Sequence, residues 1–247
     1  MITNALHNII KAEPQPAVCE WCGAWFHTAW QARYCDQSCA EAAYTAHVNA
    51  KTRAALLDEF EALASRGVID ASTLEVWNVM TPRETEALAG IREHCLSGGV
   101  VKNAWLSGGP GVGKSFALSY ALCEAFQHGQ SVTKVSGRRL LRDGDRSDLW
   151  HVYQRSDVLV IDDIDKAVAT ETAASVLWEV LDSRASRRLY TLITANVTGS
   201  EWARTWEAGI SSRYVQPSMD RLLPCVGIRC GGTNLRREAA KGDACES

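Results

Sequence analysis

A short glycine-rich segment has the residue types and spacing of a phosphate-binding loop. It fits the pattern G-x-x-x-x-G-K-[ST] with the residues Gly108, Gly109, Pro110, Gly111, Val112, Gly113, Lys114 and Ser115. Glycines let a backbone approach phosphates closely while its N–H groups point at the anion. The Lys114 ammonium would then neutralise the β and γ phosphates, and the Ser115 hydroxyl would ligate Mg²⁺. The pattern predicts a site for a nucleoside triphosphate such as ATP.

Two carboxylates after an apolar run predict the magnesium side of the same site. Asp162 and Asp163 directly follow the run Val158–Ile161, and ligands of α/β sheets bind beyond the carboxyl ends of the strands. Asp162 is expected to hold Mg²⁺ or its waters, and Asp163 to polarise the water that attacks the γ-phosphate. The alternative is that these acids only cap a helix at the end of the strand. Asp165 is expected to be such a helix cap.

Three further polar residues could complete this site. Asn196 ends the apolar run Leu189–Ala195, where its amide could orient the hydrolytic water, although asparagine is also common in turns. Arg213 and Arg221 lie in short stretches of helical character, from which an arginine could reach the γ-phosphate of a neighbouring subunit. The alternative for either arginine is an ordinary exposed surface position.

The elements that must position these residues alternate between strands and helices. Apolar runs predict strands at Val100–Leu106, Ser131–Val135, Val158–Ile161 and Leu189–Ala195. A helix is expected over Phe116–Phe126, so that a helix N-terminus adds partial positive charge at the phosphates. This alternation predicts an α/β fold in which a parallel sheet is flanked by helices.

Four cysteines near the N-terminus have the spacing of a structural zinc site. The pairs Cys19-x₂-Cys22 and Cys35-x₃-Cys39 are separated by twelve residues. Four thiolates leave no open position on Zn²⁺, so this module is expected to be structural and to draw much of its folding free energy from the metal. Its aromatic residues are expected to form a miniature core, with stacking on nucleic-acid bases as the alternative; they are Trp21, Trp25, Phe26 and Trp30.

Two helices are predicted between the cysteines and the sheet. Ala40–Ser65 contains no Pro or Gly and is rich in Ala, Glu and Leu, which favours a long helix. Thr81-Pro82-Arg83-Glu84 fits a capping box with proline at the first helical position, so a helix is expected from there to about Leu96. The predicted organisation is an N-terminal tail (1–16), a zinc module (17–42), a helical linker (43–74) and an ATPase domain (75–247).

The overall charge excludes a global attraction to nucleic acid. The 247 residues carry a formal net charge of −3, so any DNA contact must come from a local patch. A basic cluster exists, but acids are interleaved with it and favour a solvated, salt-bridged face; its members are Arg138, Arg139, Arg142 and Arg146. Neither a signal peptide nor an apolar run of membrane-spanning length is evident, so a cytoplasmic protein without a membrane partner is expected.

The order of these motifs resembles that of a known ATPase family. The motifs that carry the resemblance follow one another in the family's order: the phosphate loop, the acids after Ile161, the strand before Asn196, Met219-Asp220-Arg221-Leu222 and Gly231–Arg236. By this order the chain resembles the AAA+ ATPases of the DnaC/DnaI helicase-loader group, with IstB-type transposition ATPases as close relatives. The likeness spans about residues 75–240. It implies that Asn196 is the sensor-1 residue and Arg221 the arginine finger, with Arg213 as a rival.

The same resemblance carries expectations for function. Gly231–Arg236 is similar to the family's short C-terminal strand and arginine, which makes Arg236 a nucleotide or subunit contact. Asp163 stands where glutamate is typical, so slow hydrolysis is expected. The resemblance implies an ATP-dependent loader that places a hexameric replicative helicase on single-stranded DNA and self-associates into a ring or helix. The alternatives are an IstB-like ATPase that selects target DNA for transposition and a zinc-finger DNA-binding protein with a purely structural nucleotide site.

Overall fold

The protein divides into two compact units, one up to Glu59 and the other from Phe60 onward. The computed structural model describes residues 15–20, 22–28, 33, 35–77, 79, 82–95, 103–143, 147–209, 213–222, 225–232 and 234–235. Within these residues, no helix combines the length and the apolar character that crossing a bilayer requires.

The N-terminal unit contains a small hairpin and most of a long helix, whose last residues from Phe60 onward belong to the second unit. Strands β1 (Gln15–Val18) and β2 (Trp25–Thr28) pair antiparallel. The turn between them closes through a hydrogen bond from the Cys19 N–H to the Ala24 carbonyl, 2.9 Å long. Helix α1 (Gln37–Ser65) confirms the predicted long helix and begins three residues earlier than expected. Its start is capped by Asp36, whose carboxylate accepts from the Cys39 N–H at 2.8 Å.

The second unit is built on a parallel sheet of five strands, which confirms the predicted fold class. The strands are β3 (Asn103–Gly108), β4 (Val132–Ser136), β5 (Val158–Asp162), β6 (Tyr190–Ala195) and β7 (Cys225–Cys230). Their order across the sheet is β4-β5-β6-β3-β7. The predicted strands correspond to β3–β6 within a few residues, and positions 100–102 lie outside the described residues. The C-terminal strand expected at Gly231–Arg236 is instead β7, which ends at Cys230.

Helices cover both faces of the sheet. Every residue of β5 from Val158 to Ile161 is therefore buried. The helices are α2 (Ala71–Trp77), α3 (Glu86–His94), α4 (Lys114–Gln127), α5 (Gly137–Asp143), α6 (Trp150–Arg155), α7 (Glu171–Ser186), α8 (Gly199–Gly209) and α9 (Val215–Arg221), with a 3₁₀ turn at Ile164–Lys166.

The start of α3 differs from the sequence prediction. Thr85, rather than Thr81, is the N-cap, and its hydroxyl accepts from the Leu88 N–H at 3.1 Å. Leu88 and Ile91 lie on one face of this helix, and both are fully buried. The helix begins after Thr85 because the Thr85 hydroxyl satisfies an N–H of the first turn, which leaves residues 82–85 outside the helix.

The segment ahead of the sheet packs on the core of the second unit. The Phe60 ring lies 4.8 Å from Trp77 and 4.9 Å from Phe126 of α4, centroid to centroid. In addition, the Lys134 N–H of β4 donates to the Val68 carbonyl at 2.9 Å. Residues 60–77, predicted largely as a linker, therefore form part of the second compact unit.

Candidate nucleotide site

The loop that joins β3 to α4 has the conformation that its glycines permit. Gly113, the N-cap of α4, has φ 91°, in the left-handed region where glycine is favoured. At Gly108 a side chain would collide with the Cys230 carbonyl of neighbouring β7. The predicted strand–loop–helix arrangement around Lys114 and Ser115 is thus present, with both residues in the first turn of α4.

Lys114 is held inside this loop. Its Nζ donates to the carbonyls of Gly108 (2.7 Å) and Gly109 (2.8 Å) and lies 3.3 Å from Asn196 Oδ1. Burial lowers the pKa of Lys114, opposed by the charges of nearby carboxylates, Asp163 foremost. The ammonium is therefore fixed at the mouth of the loop, beside the end of β6.

Asp162 joins the phosphate loop to the sheet. Its Oδ1 accepts from Ser115 Oγ at 2.9 Å and from Thr194 Oγ1 at 2.5 Å. Thr194 Oγ1 also accepts from the Asp163 N–H at 2.7 Å. The carboxylate and the hydroxyl that the sequence assigns to Mg²⁺ are thus in direct contact. These oxygens are of the type that Mg²⁺ prefers, so this donor set fits the ion.

Asp163 lies on the wall of the same cleft, in an uncommon backbone conformation. Its φ and ψ are 54° and 52°, in the left-handed region that Asp and Asn tolerate better than most residues. Its Oδ2 lies 3.4 Å from Lys166 Nζ. The cleft of about 240 Å³ is also lined by Lys114, Ser115 and Asn196. The backbone conformation supplies a physical reason for aspartate at this position.

Asn196 connects Lys114 with Asp165. While its Oδ1 faces the lysine, its Nδ2 donates to Asp165 Oδ2 at 2.8 Å. The prediction that Asp165 is a helix cap is therefore wrong. The residue lies inside the 3₁₀ turn, whose N-cap is Asp163, and the tight turn directs its carboxylate to the end of β6.

The two candidate arginines lie outside the lining of this cleft. Arg221 ends α9 and pairs with Asp182 of α7 at 2.7 Å, with half of its side chain exposed. Arg213 is exposed, donates to the Tyr214 hydroxyl at 2.9 Å and stacks over that ring. An arginine that serves a neighbouring subunit does not need to line its own cleft. The predicted contact Arg236 lies outside the described residues.

The chain just before Arg236 does reach the phosphate loop. The Leu235 N–H donates to the Gly111 carbonyl at 3.0 Å, and Leu235 lines the cleft. The Asn234 side chain lies against Gly111. These contacts join segments that are distant in sequence, so the pattern of Gly231–Arg236 alone could not predict them.

Two other residues at this end of the sheet were missed. Thr194 has the sequence character of an ordinary strand residue, yet its hydroxyl donates to the Asp162 carboxylate and accepts from the Asp163 N–H. Lys134 is 4% exposed and lies 3.6 Å from Asp162. A signal was available for Lys134, because a lysine inside the apolar run Val132–Val135 is unusual.

The basic cluster on α5 faces outward. Arg138, Arg139 and Arg142 are exposed, whereas the intervening Leu140 and Leu141 are buried. Arg146 lies outside the described residues.

The four N-terminal cysteines converge on one point. Their sulfurs all lie within 4.8 Å of one another, with Cys22–Cys35 at 3.7 Å and Cys35–Cys39 at 3.5 Å. Tetrahedral Zn–S bonds of about 2.3 Å imply S–S separations of about 3.8 Å, so the cluster fits zinc. A hydrogen bond with Cys35 and burial raise the pKa of the Cys39 thiol, whereas a bound Zn²⁺ would favour its thiolate.

The expected aromatic core of this module is not found at Trp25, which is 76% exposed. Its cross-strand partner Val18 is also 46% exposed. Side chains alternate between the two faces of a hairpin, and the opposite face carries Ala17 and its partner Phe26, which are both half-buried. Trp21 and Trp30 lie outside the described residues.

Comparison with solved structures identifies the fold. The protein is similar to DnaI (20% identity, 70% of this chain, 100% of that chain, TM-score 0.52). It is also similar to a candidate primosome component from Streptococcus pyogenes serotype M3 (20%, 70% and 97%, TM-score 0.53). It is similar to AMPPCP-bound DnaA from Aquifex aeolicus at 18% identity over 69% of this chain and 54% of that chain, with a TM-score of 0.50. At these identities the likeness establishes a shared AAA+ fold.

Comparison with curated protein sequences finds no significant match. The sequence model of the IstB-like ATP binding protein family matches residues 87–239, more than half of the chain. This range contains the phosphate loop, both acids, Asn196 and both candidate arginines, and it confirms the resemblance stated from the sequence. The chain belongs to the family of IstB-like ATP-binding proteins.

Proposed function

We propose that the protein is an ATP-dependent loader that places a replicative helicase ring on single-stranded DNA. The observation that carries the proposal is the joint arrangement of a nucleotide site in a DnaI-like fold and a four-cysteine unit ahead of it. The matched DnaI chain is covered in full by 70% of this protein, and the cysteine unit precedes the residues that match the family model. One matched structure is described as a primosome component, which favours a role in replication.

In this proposal the cleft binds ATP and hydrolyses it slowly. Gly108–Gly113 wrap the phosphates, Lys114 exchanges the loop carbonyls for phosphate oxygens, and Ser115 and Asp162 hold Mg²⁺. The ion would neutralise charge on the β and γ phosphates. Asp163 then accepts a proton from the attacking water, and Asn196 orients that water against the γ-phosphate.

Hydrolysis is completed between subunits. Arg221 is exposed and its ion pair with Asp182 lies at the protein surface, where such a pair is weak enough to exchange partners. It therefore reaches the γ-phosphate of the next subunit in a ring or helical assembly, with Arg213 as the rival. This dependence on a neighbour links ATP turnover to assembly on DNA, to which the exposed arginines of α5 add phosphate contacts.

The four-cysteine unit binds Zn²⁺ and holds the helicase. Zinc fixes the hairpin and the start of α1 as one rigid module. The exposed pair Val18 and Trp25 then provides an apolar surface for a protein partner.

The family match favours a second candidate, an IstB-like ATPase that selects target DNA for transposition. Affinity capture of the tagged protein with and without ATP separates the two. A loader recovers a hexameric helicase in an ATP-dependent manner, whereas a transposition ATPase recovers a transposase and forms filaments on double-stranded DNA. Under the third candidate, a zinc-finger protein with a structural nucleotide site, Lys114→Ala leaves biological activity intact.

A further inference from the structure

Lys134 is a buried lysine in β4 whose ammonium is surrounded by oxygen atoms. Only 2% of its side chain is exposed. Burial of a single ion such as an ammonium costs on the order of several kcal/mol, because its hydration is lost. Buried lysines therefore occur almost always in ion pairs. Lys134 lies 2.9 Å from Asp70 Oδ2, 2.9 Å from Ser119 Oγ and 3.3 Å from Ser72 Oγ.

The same ammonium faces the free oxygen of Asp162. Ser115 and Thr194 both donate to Asp162 Oδ1, whereas Asp162 Oδ2 lies 3.6 Å from Lys134 Nζ. The two carboxylate oxygens of Asp162 therefore contact different partners. Rotation of the carboxylate would break contacts on both sides, so its orientation toward Ser115 is fixed before any ligand arrives.

We propose that Lys134 is a positioning residue that sets the Asp162 carboxylate for magnesium binding and ties it to the N-terminal end of helix α2. The proposal rests on the assignment of the cleft as an Mg–ATP site. Lys134 does not line the cleft, and it acts only through Asp162. Removal of a residue that orients a metal ligand typically lowers the metal affinity about 10–100-fold.

The link to α2 runs through Asp70. Its Oδ1 accepts from the Thr73 N–H at 2.9 Å and the Thr73 hydroxyl at 2.6 Å, which caps the first turn of α2. Although burial alone would raise the pKa of Asp70, the Thr73 hydrogen bond and the Lys134 charge lower it. The Thr73 hydroxyl in turn lies 3.1 Å from Ser119 of α4. A displacement of the segment that joins α1 to α2 therefore moves a carboxylate that shares its counter-ion with Asp162.

The test is an Mg²⁺ titration of the binding of a fluorescent ATP analogue to the full chain. Lys134→Met is expected to raise the half-saturating Mg²⁺ concentration about tenfold, while affinity in EDTA changes less than about twofold. Arg187→Met removes one positive charge from an exposed position and is the matched control. In the Asp162→Asn background, Lys134→Met is expected to have no further effect on the Mg²⁺ midpoint, because its target is gone.

A folded Lys134→Met protein with the wild-type Mg²⁺ midpoint overturns the proposal, as does equal loss of affinity with and without Mg²⁺. If Lys134→Met does not fold, Lys134→Gln is measured in the same way, and failure of both to fold assigns Lys134 a purely structural role and also overturns the proposal. A wild-type protein without Mg²⁺-dependent binding contradicts the proposed function itself. The failures of the two proposals are thus distinguishable.

Discussion

The Asn196 side chain donates a hydrogen bond to Asp165, with 2.8 Å between Nδ2 and Oδ2. The amide is thereby oriented so that its oxygen faces Lys114 and the phosphate loop. Among the residues that the structure describes, the second oxygen of Asp165 is buried and has no hydrogen-bond partner, which is a costly arrangement for a carboxylate. Because this arrangement lowers the stability of the fold, it indicates that Asp165 has a role in the nucleotide site.

Asp165→Ala is expected to slow ATP hydrolysis about tenfold or more, because a misplaced water-orienting group impairs the reaction geometry. The dissociation constant for ATP should stay within about twofold. Single-turnover hydrolysis and equilibrium binding separate the two effects, and Asp148→Ala, at an exposed acid, serves as the control. Equal losses in binding and in turnover would argue against a positioning role.

Asp163→Asn is expected to bind ATP but to lose hydrolysis by about 100-fold or more, because the amide cannot accept the proton. The variant should fold normally, since asparagine tolerates the left-handed backbone of residue 163. Asp163→Glu restores the residue typical of the family but pays about 1 kcal/mol of backbone strain. Single-turnover rates and thermal melts check both variants. Wild-type hydrolysis by Asp163→Asn would remove Asp163 from the mechanism.

Arg221→Ala is expected to bind ATP normally and to hydrolyse it about a thousandfold more slowly, because the transition-state charge is no longer stabilised. Mixing this variant with Lys114→Ala subunits should restore part of the activity, since the latter supply an intact arginine. Asp182→Ala, which removes only the ion-pair partner, is the matched control. Mixtures of Arg221→Ala with Lys114→Ala subunits are compared with mixtures of Arg213→Ala with Lys114→Ala subunits. If only the second kind of mixture regains activity, Arg213 is the residue that acts between subunits.

Cys39→Ser is expected to reduce bound zinc from one ion per chain to a small fraction, as measured by elemental analysis of the purified protein. A thiolate ligand is lost, and four are needed to close the site. ATP affinity should be unchanged, because the nucleotide site lies wholly in the other compact unit. Cys225→Ser, outside the cluster, should retain its zinc. Full zinc content in Cys39→Ser would contradict the assignment of the ligands.

Local patterns were sufficient to predict the parts of the site that lie within one segment. The spacing around Lys114 and the acids after Ile161 each specify a short stretch of chain, and the parallel sheet follows from their alternation with helices. The roles of Thr194 and Asp165 could not be predicted, because they depend on how β5 and β6 lie side by side. The exposure of Trp25 has the same origin, since the face of a hairpin that is buried depends on partners distant in sequence.

Helicase loading is measured by an assay on circular single-stranded DNA, which has no ends for a helicase ring to thread. The replicative helicase of the source organism is incubated with the circles, and the helicase retained on DNA is counted after a salt wash. We expect the helicase to be retained only with the wild-type protein and ATP, and not with Lys114→Ala. Helicase retention that needs neither this protein nor ATP, or no retention under any condition, would show that the protein is not a loader.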